Sequence, residues 1–462
     1  MIERKAANDQ RATLLAARTH RRALLKAAGA SAALGTIGLR APAVLAQAKP
    51  FDGVTINGAG FQHVSTENIK TYIPEFEERT GMKVNFELQA FPVYNQRMDL
   101  ELSTQGSAYD FCNITFIYSG RWIGAGWMTP LDDLVGDANL TPADWDPGDF
   151  VPGSQKALQD AEGRTCGFAY LAGAMIMGAA RGDLMDRAGH AMPATFDELI
   201  EVCRATHKMD GAAAFVADKL HHWNWIPYLM GFGGTVFRNP PDDLYPMLDT
   251  PEVAEAGEWY ARLITEFTPS GVLSYSDDQA MRAQLSGRAN LRTPDSSQVA
   301  ALASNPDSTV ATTVRYAPLP AGPSGAFPGL NSHGFGIPTG ARNKEAAWEF
   351  IKWALSKEMV RRVALERGYT AVCRRSVIDD PEYRKVLTLN GQDVASLYLQ
   401  VLEIGGNSDY MRYRTVPVFP QVGDKINKAI ERIASGQQGG REAMALAQEE
   451  SINDLKKAGV RI

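Results

Sequence analysis

Between residues 53 and 114 the chain alternates two hydrophobic periods, and this alternation limits the possible fold more than any other feature. Residues 53–57 read as a short strand that stops at Gly58-Ala59-Gly60. Ile69, Tyr72, Ile73 and Phe76 then recur at i, i+3, i+4 and i+7, the spacing of an amphipathic helix, which Thr80-Gly81 ends. Pro74 lies inside that helix and is expected to kink it. Residues 82–88 alternate as a second strand, a helical stretch runs to Gly106, and residues 109–114 form a third strand. Strands separated by helix-length segments cannot be hairpins; they pair in parallel through right-handed crossovers. The same grammar restarts after Gly163, where residues 166–170 are strand-like. Thr195-Phe196-Asp197-Glu198 is a capping box opening a helix through Leu199, Val202 and Cys203. Further helices are expected at about 251–265, 344–366, 422–434 and 441–457. Two rounds of this grammar predict an α/β chain with two lobes, crossed by the backbone more than once.

The segment ahead of this pattern follows different rules. Arg21-Arg22-Ala23-Leu24-Leu25-Lys26 precedes an Ala/Gly-rich run ending at Ala46-Gln47-Ala48. A charged start, a modest apolar stretch and small residues before a cleavage point make an export signal. The apolar run carries Gly29, Gly35 and Gly38, is broken by Arg40, and is too short to span a bilayer. Paired arginines followed by x-Leu-Leu-Lys resemble the twin-arginine signal, an address read by a receptor rather than an anchor. Residues 1–48 are therefore read as a removable leader, cleaved after Ala46 or Ala48, with the remaining chain free in a periplasm and without a membrane anchor.

That remaining chain is long enough for two ordinary domains, and 45% hydrophobic residues suffice for a large core. A net charge of -6 with both signs dispersed argues against nucleic acid as a partner. Cys112, Cys166, Cys203 and Cys373 show no zinc or C-x-x-C spacing and read as buried free thiols. No H-E-x-x-H, G-x-S-x-G or phosphate-binding glycine loop occurs, and the seven histidines never fall at metal-ligand spacing. Neither a cofactor nor a metal is expected.

What the sequence offers instead is aromatic and polar residues in the connecting segments. "HHWNW" at 221–225, read as extended chain, places Trp223 and Trp225 on one side, and His221 and His222 on opposite sides. An indole offers a flat apolar face and one N–H donor, which suits the C–H face and polar rim of a sugar; packing in the core is the competing reading. Tyr118, Tyr170 and Tyr369 follow strand-like stretches, where ligand crevices of open α/β sheets lie. Asn331 and His333 could donate to hydroxyls, and Arg374 or Arg414 could hold a carboxylate, a phosphate or a vicinal diol.

Several ordered blocks carry a family likeness: "IPEFEERTGMKVNFEL", "YDF…GWMTPLDDL", "DLMDRAGHAMPATFDEL", "GFGGTVF", "LSGRANL", "GFGIPTGARNKEAAWEFIKWALSKE" and "ERGYTAVCRR". In order and spacing the chain resembles the periplasmic extracellular solute-binding proteins of carbohydrate ABC importers, the maltose-binding-protein-like family. The resemblance implies a two-lobed, type II-like periplasmic binding protein fold with a hinge and a ligand between the lobes. It implies lobes of 51–158 plus 312–370 and 159–311 plus 371–462. It places Tyr118 on the cleft, Trp223 at an aromatic sugar platform, and Asp295 at a strand end that reaches the ligand. Asn331 and His333 lie in a loop that often reads "GG" in relatives, and Gln62 and His63 replace a loop that more often carries Trp.

Three functions follow as expectations. The first is a monomeric, non-catalytic binding protein that delivers a carbohydrate or polyol to an ABC permease. The second is the same fold serving an anionic ligand, such as a glycerol phosphodiester or sulfonated sugar, for which buried arginine forks would be required. The third is an exported enzyme, motivated only by the twin-arginine route. Replacing Arg21-Arg22 by Lys-Lys keeps the charge but removes the guanidinium pair, so precursor is expected to accumulate in the cytoplasm. Fractionation and immunoblotting read the outcome; an undiminished periplasmic yield would remove the twin-arginine assignment.

Overall fold

The computed structural model describes residue 49 and residues 51–408, 410–414 and 416–462. The leader assigned to 1–48 lies outside the described residues, as does the side chain of Arg414. Strands are β1 (Thr55–Phe61), β2 (Lys83–Gln89), β3 (Phe111–Ile114), β4 (Gly167–Ala174), β5 (Met177–Ala179), β6 (Ala213–Phe215), the hairpin β7 (Phe237–Asn239) and β8 (Asp243–Pro246), β9 (Ala289–Arg292), β10 (Arg315–Ala317) and β11 (Leu330–Gly336). One sheet has the order β2-β1-β3-β11-β4 and the other β10-β5-β9-β6. β1 pairs in parallel with β2 and β3, as the helix-length connections require, while β11 returns antiparallel between β3 and β4. In the second sheet β6 and β9 are parallel and β5 and β10 run against them.

β1 does not stop at Gly58. It continues to Phe61, because the glycines serve a central strand instead of a turn. A Cβ on Gly58 would stand 2.0 Å from the Phe111 ring, and one on Gly60 would stand 2.5 Å from the Asn113 side chain. The Phe111 ring fills that space and stacks on Phe350, centroids 4.4 Å apart. The expected helix after β1 is two helices, Val64–Thr71 and Ile73–Thr80, with Pro74 in the first turn of the second, where its missing N–H costs nothing. Gly81 ends it with φ of 79°, a left-handed cap that glycine adopts without a Cβ penalty. Thr195 caps Phe196–Thr206 as its sequence suggests, its side chain accepting from the Glu198 N–H. The long helix expected after Lys344 breaks at Ser356, whose hydroxyl caps a second helix, Lys357–Arg367.

The chain changes sheets in two places legible from the pairing. β4 belongs to the first sheet and β5 to the second, so the chain first passes between the sheets at Met175-Ile176. β10 belongs to the second sheet and β11 to the first, so the return lies between Ala317 and Leu330 rather than at 312. β4 is buried at every position, and its pairing along all of β11 outweighs the loop signal that precedes it in the sequence.

Two residues assigned to a ligand site are instead part of this framework. "HHWNW" is helical, not extended: His221–Asn224 form a short helix that turns Trp225 away from Trp223. Trp225 is fully buried and donates from Nε1 to the Ala256 carbonyl at 3.1 Å. Arg374 is also fully buried. Its Nε donates to the Leu355 carbonyl at 2.7 Å, and its Nη1 to the Asp146 carbonyl at 2.9 Å and Asp149 Oδ2 at 3.3 Å. The guanidinium lies 4.2 Å from the Phe150 ring centroid and 4.9 Å from that of Trp145. Burial lowers its pKa, and Asp149 opposes that shift. Arg374→Ala would empty a buried, stacked site, leave the Leu355 and Asp146 carbonyls without their donor and Asp149 with Ser376 alone, so we expect a loss of roughly 3–5 kcal/mol in stability with ligand affinity unchanged in the folded fraction. Denaturant titration and calorimetric binding together read both quantities.

Candidate functional site

The C-terminal ends of the parallel strands carry the residues that meet between the two sheets, as expected for open α/β folds. From the first sheet come Phe61 at the end of β1, His63 just beyond it, and Phe116 after β3. From the second come Asp295 after β9 and Trp223 in the helix after β6. Phe61 lies 4.8 Å from His333 by ring centroid, and His333 lies 5.2 Å from Phe116. Phe116 in turn lies 5.9 Å from Trp223, which stands 6.1 Å from Tyr410. Half-buried Trp223 thus continues a line of rings that begins in the first sheet.

A bulge helps to aim two of these side chains. Between His333 and Gly334 the β11–β4 register shifts: His333 pairs Leu171, Gly334 pairs Ala169, and Tyr170 is left over. Bulges of this kind re-aim side chains beside functional sites. Tyr170 packs on Phe335 at 4.7 Å and approaches His333 at 6.5 Å. Burial holds the Tyr170 hydroxyl well above its usual range, and burial, then His63, pushes His333 down to about 3.

The polar groups of the site join the sheets directly. Asn331 on β11 accepts the Gly173 N–H at 3.0 Å and donates to Asp295 Oδ2 at 3.0 Å. Asp295 Oδ1 accepts the Ser297 N–H at 2.9 Å and caps a short helix. Gly173 is obligatory, since a Cβ there would lie 1.7 Å from Asp295 Oδ2. His63 caps the helix Val64–Thr71, accepting the Ser65 N–H on Nδ1; burial lowers its pKa and the charge of Asp295 raises it.

Of the residues chosen from sequence, His63, Tyr170, Trp223, Asp295, Asn331 and His333 come together here. Gln62 is exposed beside them. Tyr118 rests on Trp122, centroids 5.4 Å apart, and Phe116 rather than Tyr118 meets His333. Trp225 and Arg374 lie in the core. Phe61, Phe116, Tyr410 and Ser65 were missed; Phe61 and Phe116 had a signal, since both follow the ends of expected strands. All four cysteines are buried and unpaired. Among the described residues no group of three or more His, Cys, Asp or Glu is placed to hold a metal, and no helix is long and apolar enough to cross a membrane.

A family model described as "Bacterial extracellular solute-binding protein" matches residues 62–361. The chain belongs to this family. A mannitol-binding protein of Pseudomonas aeruginosa is 25% identical over 384 residues, covering 79% of this chain and 85% of the relative. An erythritol/L-threitol-binding protein of Mycolicibacterium smegmatis is 22% identical, covering 71% of this chain and 72% of the relative. Among solved structures, an ABC transporter solute-binding protein of Agrobacterium radiobacter in complex with ribitol superposes with a TM-score of 0.76 at 23% identity, covering 87% of this chain and 99% of that one. One from Agrobacterium vitis with bound D-mannitol gives 0.73 at 22% identity, covering 88% and 99%. These likenesses show the two-lobed periplasmic binding protein fold.

The buried imidazoles make this solute-binding protein acid-sensitive. Burial lowers His333 from 6.5 to about 3 and His221 from 6.5 to about 4. Below the ordinary value the unfolded chain takes up protons that the folded chain refuses. The contribution is therefore fully present above about pH 6.5 and is lost as pH falls, at about 1.4 kcal/mol per pH unit for each imidazole. In His333→Phe the slope of unfolding free energy between pH 6 and 4.5 is expected to flatten by about one proton, as read from denaturant titrations across that range.

Proposed function

We propose that this chain is the substrate-binding subunit of an ABC importer, and that it holds a neutral polyol or carbohydrate between its lobes. The observation that carries this reading is the meeting of Trp223, Phe116, Phe61 and His333 with His63, Asp295 and Asn331 at the strand ends of both sheets. Aromatic faces suit C–H groups, and the polar set supplies donors and acceptors for hydroxyls. The names of the polyol-binding relatives point the same way. The anionic alternative rested on Arg374 together with Arg414; the Arg374 guanidinium is engaged in the core, and the Arg414 side chain lies outside the described residues. The set contains an aspartate and two histidines with lowered pKa values, which suits binding more than an anion clamp.

The reading extends to organisation and address. One lobe comprises 51–174 with about 330–370, and the other 177–317 with the C-terminal helices. The protein works as a monomer, without cofactor or catalysis, after twin-arginine export to the periplasm, and presents its loaded form to a permease. A thermal-shift screen over ribitol, D-mannitol, erythritol and maltose tests the ligand class. A binder at a hundredfold excess over Kd stabilises by about 2.7 kcal/mol. Trp223→Ala removes an aromatic face worth ~1–2 kcal/mol, so the responding ligand is expected to bind about tenfold more weakly. Trp225→Ala, a core change, is expected to cost ~3–5 kcal/mol of stability instead. Unchanged affinity in the Trp223 variant would remove the platform.

A further inference from the structure

His63 and Asp295 stand on opposite sheets, and the hydrogen bonds around each one leave it a single role toward a ligand. Ser65 N–H points at His63 Nδ1 at 3.3 Å, and Ser65 Oγ lies 2.8 Å from the same nitrogen. A backbone N–H can only donate, so Nδ1 carries the lone pair and Nε2 carries the proton. Ser65 is itself constrained from behind. It is buried, and with Tyr170 and Tyr369 it lines a cavity of about 20 Å³, room for one water. Neither tyrosine hydroxyl has a hydrogen-bond partner among the described residues. With Nδ1 carrying a lone pair, the Ser65 hydroxyl 2.8 Å away can only donate its proton to it. No described protein group accepts from His63 Nε2. Across from it, Asp295 takes only the neutral donors of Ser297 and Asn331, and keeps lone pairs and its negative charge for the cleft.

We propose that His63 Nε2–H and the Asp295 carboxylate form a directional donor–acceptor pair across the cleft, that Ser65 is the positioning residue fixing the His63 tautomer, and that this pair selects neutral hydroxyls against acids. The inference rests on the polyol or carbohydrate reading above. A hydroxyl both accepts and donates, so neighbouring hydroxyls of one ligand satisfy His63 and Asp295 together. A carboxylate cannot donate to Asp295 and meets its charge, and a mismatched polar group is rejected strongly because buried partners are left unpaired.

Nitrogen-15 NMR of histidine-labelled, ligand-free protein, with His63 assigned through its loss in His63→Asn, reads the tautomer directly. An unprotonated Nδ1 and a protonated Nε2 are expected; the reverse pattern overturns the proposal. Calorimetry with D-mannitol and ribitol, against mannonate and ribonate, reads the selection. His63→Asn keeps an oxygen to cap the helix but has no donor at the Nε2 position, so polyol affinity is expected to fall at least tenfold while the empty protein melts as before. Asp295→Asn removes the charge, and the preference for polyol over its acid is expected to shrink at least tenfold. Ser65→Ala is expected to weaken polyol binding several-fold and to introduce Nδ1-protonated His63 in the spectrum. Polyol binding that ignores these substitutions overturns the selection alone. Failure of every polyol and sugar to bind the unaltered protein overturns the proposed function, and the selection with it.

Discussion

The seam at Met175-Ile176, where the backbone leaves one sheet and enters the other, is the constraint on which the rest of the molecule depends. It is held by hydrogen bonds from several segments at once. Met175 N–H donates to Gly329 at 2.8 Å, Ala174 N–H to the Ser296 hydroxyl at 3.1 Å, and that hydroxyl to the Ala172 carbonyl at 3.2 Å. Thr370 adds a bond to the Ser296 carbonyl at 2.8 Å, and the Tyr398 hydroxyl bridges the carbonyls of Ala172 and Val372 at 2.9 Å each. Buried backbone groups away from regular pairing are costly unless each finds a partner, and here serine, threonine and tyrosine side chains supply them. The Asn331–Asp295 bond sits on the same seam, so the residues that join the lobes also floor the site.

That placement has an electrostatic consequence. The charged groups nearest the rings are one half-buried aspartate with neutral partners and imidazoles that burial keeps uncharged at neutral pH. The buried arginines are committed elsewhere. Arg374 is enclosed by Trp145, Phe150 and two backbone carbonyls, and Arg292 is paired with Asp277 and held by Gln298. A guanidinium already neutralised and desolvated costs too much to redirect toward a ligand.

The relatives share this architecture at 22–25% identity, a range in which sheet order and core volume persist while the cleft is free to change. Packing tolerates exchange among apolar residues, so the family pattern survives in blocks that fill the core.

The sequence by itself determined the α/β class, the two rounds of strand and helix, and most helix ends, because period, proline position and caps such as Thr195 and Gly81 act over a few residues. Tyr170, Trp223, Asn331 and His333 stood out because strand ends and aromatic–polar loops carry a local signature, whereas His63 and Asp295 were singled out only by the family resemblance. The tertiary structure decided what local signals do not encode. Gly58 and Gly60 look like a turn until Phe111 and Asn113 are placed against them. Trp223 and Trp225 share a side only in extended chain, and a single helical turn separates them, leaving Trp223 between Phe116 and Tyr410 and sending Trp225 into the core. Arg374 reads as solvated until the rings of Trp145 and Phe150 close over it and the carbonyls of Asp146 and Leu355, 228 and 19 residues away in the sequence, accept its hydrogen bonds. In each case the deciding contact comes from a residue distant along the chain, and its energy appears only once the core has formed.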